Sequence, residues 1–285
     1  MPRHGGVGMI GPDFDHFCAL IMDRSGLVLG PEKAYLLRGR LDPIARSEGM
    51  ADVSALLANI RKTASEPLIQ KCVEALATHE SSFFRDGAPF EALKTQVFPS
   101  LFARRGGQKL RFWCAACSSG QEPYSLAIAL HEMAGMAVVR DVEILATDFS
   151  EPILSKARKG IYSDFEVRRG LSPERQQRWF ERDGDAWRVS EQIRRMVTFR
   201  HHNLLKGASG IGVFDVIFCR NVLIYFDPDR KRFVLDELAK ALAPDGSLFL
   251  GSAETILGLT DNIVQAPGAR GLYQKTSLQR AKAAG

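Results

Sequence analysis

The sequence predicts an α/β protein with a largely parallel sheet, preceded by a small all-helical domain. Three observations support this. Apolar residues fall at helical spacing, with no strand-like alternation, over residues 13–77; short apolar strands then alternate with helices from Lys109 onward. At roughly 100–200 residues per domain, 285 residues accommodate a small domain and a medium one.

The helical part reads in order. Phe14, Phe17, Cys18, Ile21 and Met22 mark one face of a first helix, which Gly26 to Gly30 interrupts. Pro31 suits the first turn of a second helix ending near Ser47. Asp52 can cap a third helix that carries Val53, Leu56, Leu57 and Ile60 on one face, and Pro67 opens a fourth through Leu76. Phe90 to Arg105 reads as one more helix, stopped by Gly106-Gly107, that connects a domain of residues 13–88 to one of residues 108–276.

In the second part, Leu110–Cys114, Val142–Ala146, Val213–Cys219, Ser247–Leu250 and Gly271–Gln274 are expected strands; Glu122–Ala134, Glu151–Lys159 and Asp229–Leu242 are expected helices. Residues 162–203 break the alternation with an arginine-rich helix at Pro173–Phe180, a turn at Asp183-Gly184 and a strand at Met196–Phe199, and read as an inserted subdomain. Residues 1–12 and 277–285 read as flexible ends.

Composition narrows the class. Hydrophobic residues make up 45% and charged residues 25%, so the chain can build an ordinary core and is not a disordered one. It shows no signal-peptide core and no run of about 18 uncharged apolar residues, so a cytoplasmic protein without membrane insertion is expected. Five scattered cysteines suggest buried thiols, and the single Cys114-Ala115-Ala116-Cys117 pair makes a metal site a weak reading; no metal is expected. A net charge of +5 favours an anionic partner without choosing among nucleic acid, membrane and acidic protein.

In doubly wound sheets ligands lie beyond the carboxyl ends of the strands. After the first strand come the small residues 115–120, which let backbone amides approach a ligand at a helix start, without the glycine pattern of dinucleotide binders or a P-loop lysine. After the second comes Thr147-Asp148, a carboxylate that could hold ribose hydroxyls or cap the next helix. After a later strand, Arg220 and Asn221 interrupt an apolar run and need partners, either a ligand or each other's loops. His201 and His202 are adjacent on a strand and point to opposite faces, so they do not read as a metal pair.

Five segments together carry a more specific signal: residues 78–86 (THESSFFRD), 117–126 (CSSGQEPYSL), 146–148 (ATD), 203–205 (NLL) and 214–226 (FDVIFCRNVLIYF). In this order they resemble the CheR-type methyltransferases of chemotaxis receptors, and the likeness runs from about residue 13 to 276. The resemblance implies a Rossmann-like methyltransferase domain with a small inserted β-subdomain behind the helical domain. It implies S-adenosyl-L-methionine as cofactor, S-adenosyl-L-homocysteine as product, and esterification of glutamate side chains on the cytoplasmic helices of methyl-accepting receptors by a monomer. Position by position, it places His79, Ser81, Arg85, Glu122, Asp148, Asn203, Leu204, Arg220 and Asn221 at the cofactor. Tyr225 would lie near the transferred methyl, and Arg104 or Arg105 would meet the substrate. His79 stands where the family usually has asparagine, and Gln121 where it often has glutamate.

Two other readings stay open at this level. A nucleic-acid methyltransferase would use the positive charge, although Asn221 is followed by Val222-Leu223-Ile224 and not by the Pro-Pro-aromatic sequence of amino-methylating DNA enzymes. A non-catalytic cofactor-binding scaffold would keep the ligand and lose the chemistry. If receptors are the partner, Lys33, Arg38, Arg40, Arg46, Arg61 and Lys62 are the expected docking charges, set against acidic receptor helices.

Overall fold

The computed structural model describes residues 11–30, 34–78, 80–139 and 142–276. The chain divides into two compact units: one runs to Thr78 and takes in Tyr225–Asp227, and the other comprises His79–Ile224 and Pro228 onward.

The first unit is four helices, α1 (Pro12–Ser25), α2 (Ala34–Ser47), α3 (Val53–Thr63) and α4 (Glu66–Leu76). α1 and α3 turn inward the faces expected from their spacing, and α2 and α4 add Leu41, Ile69 and Val73 to buried Phe14, Phe17, Ile21, Leu56 and Ile60. The Asp52 side chain accepts from the Ala55 amide, as a helix start requires. Pro31 lies outside the described residues, and a different proline, Pro43, sits inside α2. One of the expected docking charges has an internal role. Arg40 donates to the carbonyls of Leu76 at 2.6 Å and Ala77 at 3.2 Å, capping the end of α4, where carbonyls lack helical partners. Arg61 pairs with Asp13 at 2.9 Å. Arg46 and Lys62 are exposed.

The second unit begins earlier than the sequence suggests, because Phe83 is wholly buried within it, edge-on to Tyr162 and Phe180. Its entry helix is a broken one: α5 (Ala88–Ala92), a π turn at Leu93–Val97 and α6 (Phe98–Arg105) follow each other without a gap. Phe90, Leu93, Val97, Phe98 and Leu101 face the core of this unit, so the expected linker is part of the domain.

Then come β1 (Leu110–Ala115), α7 (Gln121–Val139), β2 (Val142–Asp148), α8 (Glu151–Lys159), β3 (Ile161–Ser163), α9 (Asp164–Arg168), α10 (Pro173–Trp179), β4 (Phe180–Asp183), β5 (Ala186–Val189), α11 (Glu191–Arg194), β6 (Val197–His201), β7 (Phe214–Cys219), α12 (Pro228–Ala241), β8 (Leu242–Leu250), β9 (Ile263–Gln265) and β10 (Leu272–Lys275). Seven strands form the main sheet in the order β6-β2-β1-β7-β8-β10-β9. The first five run parallel, and β10 and β9 add an antiparallel edge. β1, β2 and β7 are near-continuous apolar runs, as strands covered on both faces must be.

The insertion is a three-stranded antiparallel sheet, β3-β5-β4, closed by the turn expected at Asp183-Gly184. The strand assigned to it from sequence, β6, pairs instead with β2 and forms an edge of the main sheet. Among the described residues, no helix is long and apolar enough to cross a membrane. Cys114, Cys117 and Cys219 are fully buried, and burial pushes their thiols well above the ordinary range.

Candidate active site

Three loops leave the carboxyl ends of β2, β1 and β7, which are neighbours in the sheet. Asp148 ends β2 and is buried. Its carboxylate accepts from the Ser118 amide at 2.9 Å and the Ser150 amide at 3.0 Å, tying the loop after β1 to the start of α8. This acid thereby anchors the start of α8, one of the two roles open to it from the sequence. Gly120 has φ +93°, and a Cβ there would come within 3.0 Å of Ala157 Cβ and the Tyr162 hydroxyl, so the turn into α7 packs too closely for any larger residue.

Arg220 follows β7 with only 1% of its side chain exposed. It bonds Glu122 at 2.8 Å, Asp86 at 2.7 Å and the Arg85 carbonyl at 2.9 Å. One guanidinium therefore joins the loop after β7, the first turn of α7 and the segment after Phe83, using the rigid fork that suits arginine to several acceptors. Burial holds the Glu122 carboxyl above its ordinary range, against the pull of Arg220. Phe84 sits behind this junction, its amide bonded to Ser125 Oγ at 2.9 Å and its ring 3.9 Å from the Arg175 guanidinium.

Backbone strain gathers in and next to the same three segments. Among the described residues, six other than glycine have positive φ: Ala64, Phe84, Asp86, Ala116, Ser118 and Asn221. Phe84 and Asp86 lie in the segment after Phe83, Asn221 in the loop after β7, and Ala116 and Ser118 in the loop between β1 and α7. Such conformations cost on the order of 1–3 kcal/mol each and persist where the surroundings over-determine them, which is commonest at ligand sites. For a bulky residue such as Phe84 the conformation is rare.

The remaining site expectations are distributed as follows. Asn203 follows β6, and its side chain accepts from the Leu205 amide at 3.0 Å, starting a single turn that buries Leu204. Arg85 is half-buried and donates to the Glu80 carbonyl at 3.0 Å; Ser81 is half-buried. His79 lies outside the described residues. Tyr225 closes the one-turn helix Leu223–Tyr225 and groups with the first unit. His201, the last residue of β6, is exposed, and His202, just beyond it, is half-buried beside Trp113.

Arg104 and Arg105 correct an expectation. They end α6 at the amino ends of the parallel strands, opposite the ligand loops. Arg105 bonds Asp215 at 2.7 Å and Asp245 at 2.6 Å, and Arg104 lies 3.2 Å from Asp245. Arg105 thereby fastens α6 to β7 and β8. The same contact holds the Asp245 carboxyl below its usual range. The stability this contributes is present above the unfolded carboxyl pKa of about 3.9 and is lost as pH falls through the lower folded value. Arg105→Gln is therefore expected to lower neutral-pH stability by on the order of 2 kcal/mol. The gap to wild type in urea titrations should stay level above about pH 5 and begin to narrow as pH falls below about 4; a gap unchanged by acidification would exclude this pair as its source.

Sequence reasoning missed Glu254. It is buried four residues beyond the close of β8, and its carboxylate faces the loop after β7. No residue pattern marked it, because the groups it accepts from are backbone amides.

A parallel sheet with an antiparallel terminal edge, an acid closing its second strand and strained loops at the carboxyl ends has the architecture of the Rossmann-like methyltransferases. Residues 79–272 match the family described as "CheR methyltransferase, SAM binding domain", and residues 12–77 match "CheR methyltransferase, all-alpha domain". The chain belongs to the CheR methyltransferase family. It is 42% identical to chemotaxis protein methyltransferase 1 of Pseudomonas aeruginosa, over 88% of this chain and 92% of that protein. Against chemotaxis protein methyltransferase 1 of Vibrio cholerae it is 40% identical, over 87% of this chain and 91% of that one. Identity to the chemotaxis protein methyltransferase of Salmonella typhimurium is 36%, over 86% and 84% respectively.

S-adenosylmethionine is accordingly the cofactor, and the groups present suit it. It carries ribose hydroxyls that donate, an ammonium and a carboxylate. The loops offer the acids Asp148, Glu122 and Asp86 and the guanidinium of Arg85. They also hold a buried hydroxyl, Ser118 Oγ, without a hydrogen-bond partner inside the protein.

Proposed function

We propose that the chain transfers the methyl group of S-adenosylmethionine to glutamate side-chain carboxylates of chemotaxis receptors, giving methyl esters. The observation that carries this is the 42% identity, along nearly the whole chain, to a protein named for chemotaxis protein methylation, both domains included. The cofactor supplies a methyl group on a sulfonium, to be displaced in line. A glutamate carboxylate with pKa about 4.3 is already ionised at neutral pH, so no residue of the chain has to remove a proton. What the chain must do is orient the two reactants and exclude water, effects that can together be worth roughly 7–11 kcal/mol.

In this reading Asp148 accepts from the ribose hydroxyls, and Glu122 with Arg85 meets the zwitterionic end. Ser81 and His79 flank that end, Asn203 and Leu204 line the base, and Arg220 and Asn221 shape the site floor. Tyr225 orients the substrate carboxylate. The helical unit docks acidic receptor helices through Arg38, Arg46 and Lys62, with Arg40 committed to capping α4. A cytoplasmic monomer suffices for this reaction.

The test is methyl transfer from radiolabelled cofactor, with receptor cytoplasmic fragments, RNA and DNA offered in parallel. Label is expected on the receptor alone, and mild alkali should release it as volatile methanol. Alkali-stable label, or label on nucleic acid, would overturn the carboxylate reading. In the same assay, reversing Arg46 and Lys62 to glutamate should slow transfer to receptor and leave cofactor affinity unchanged; wild-type rates would move the docking surface elsewhere.

A further inference from the structure

Four backbone amides converge on one buried side chain beside the site. Glu254 accepts from Val222 at 2.8 Å and Leu223 at 2.7 Å through Oε1, and from Asn221 at 2.9 Å and Gly251 at 2.6 Å through Oε2. Three of these amides are consecutive and lie directly after Arg220. Successive amides pointing at one spot form an anion-binding concavity, of the kind that elsewhere holds phosphate. Here the chain fills it with its own carboxylate.

The surrounding geometry depends on that occupant. Asn221 is held at φ +59°, a conformation that needs support in any residue but glycine. Gly251 leaves β8 so close that an added Cβ would lie 2.8 Å from Glu254 Oε2 and 2.9 Å from the Asn221 nitrogen. An acid and a glycine three residues apart thus fit one another and the loop. A glutamine could not replace the glutamate, because its amide nitrogen would point hydrogens at two N–H donors. An aspartate is one methylene too short to span the same amides.

We propose that Glu254 is a positioning residue for methyl transfer: an internal anion that holds the loop after β7, and with it Arg220 and Asn221, in the shape the reaction needs. This rests on the methyltransferase reading but not on which acceptor is methylated. Glu254 acts through backbone and does not touch the reactants, so its removal should affect rate more than cofactor binding. Misplacement of site groups by about 1 Å can cost on the order of a hundredfold in rate.

The experiment uses the full chain with receptor fragments and compares wild type, Glu254→Gln and Glu254→Ala. Steady-state kinetics, calorimetric affinity for S-adenosylhomocysteine and amide hydrogen exchange are measured on the product-bound protein, with circular dichroism to show that each variant is folded. Turnover is expected to fall by on the order of tenfold to a hundredfold in both variants, while product affinity changes by less than about threefold. Exchange should rise at Asn221, Val222 and Leu223. Sodium formate should restore part of the turnover in Glu254→Ala, where it can enter the vacated concavity, and none in Glu254→Gln, where the side chain blocks it. Unchanged turnover in a folded variant would overturn the proposal, as would equal losses of rate and affinity or a formate response no greater in the alanine than in the glutamine variant. If the wild type itself does not methylate receptor, the failure lies with the proposed function. Unchanged exchange at the three amides would then refute the positioning role on its own.

Discussion

Replacing Arg220 with methionine is expected to destabilise the second unit by about 3–5 kcal/mol, the largest single-site effect anticipated outside the apolar core. The guanidinium is almost wholly buried, and its loss leaves Glu122 without its cation, Asp86 without its closest one, and the Arg85 carbonyl without a donor. A buried acid deprived of its partner must take up a proton or let water in, and both work against folding. The measurement is urea unfolding at pH 7, and a second variant separates charge from shape. Arg220→Met combined with Glu122→Gln should recover part of the loss, because the most buried orphan charge is then gone. If the single variant loses less than about 1 kcal/mol, the three segments are held together by packing and not by this ion cluster.

Asp148 should matter most for ligand affinity. Asp148→Asn retains an oxygen for one of the two amides it now receives but loses the charge, whereas Asp148→Ala orphans the Ser118 and Ser150 amides as well. Loss of a charge-assisted hydrogen bond to a ribose hydroxyl is worth roughly 1.5–3 kcal/mol, or about tenfold to a hundredfold in dissociation constant. Calorimetry with S-adenosylhomocysteine is expected to show that loss in the asparagine variant, together with a loss of stability smaller than that of the alanine variant, because its amide nitrogen faces one of the two N–H donors. The alanine variant should lose both affinity and stability. Unaltered affinity in a folded Asp148→Asn protein would remove this residue from the ribose position.

The helical face patterns, the alternation of strands and helices, and the loops that carry the site were readable from residue types and spacing alone. What was not readable depended on tertiary pairing. β6 is short, and nothing in its residues says whether it joins the insertion or pairs with β2. The short strands β3, β5 and β9 lack the length for a period to show. Phe83 is apolar in a polar stretch, and only its contacts with Tyr162 and Phe180 reveal that the second unit starts before it. For the site, Asp148 and Arg220 stood out because polar residues stood at the ends of apolar strands, whereas Glu122 came only from the family resemblance. The family resemblance drew attention to Arg104 and Arg105, but their partners, Asp215 and Asp245, lie more than 100 residues further along the chain. Glu254 went unremarked because its partners are backbone amides, which carry no sequence signal.

The left-handed residues of the ligand loops bear on thermostability engineering. Ala116 and Ser118 hold conformations that glycine adopts without steric cost, so selection for heat resistance alone would tend to replace them and relax the turn. The same turn carries the amide that Asp148 receives, and a looser chain there would have to be ordered again each time a ligand binds. Libraries built on this scaffold would therefore do better to seek stability in the helical unit, leaving the stiffness of these loops to serve recognition.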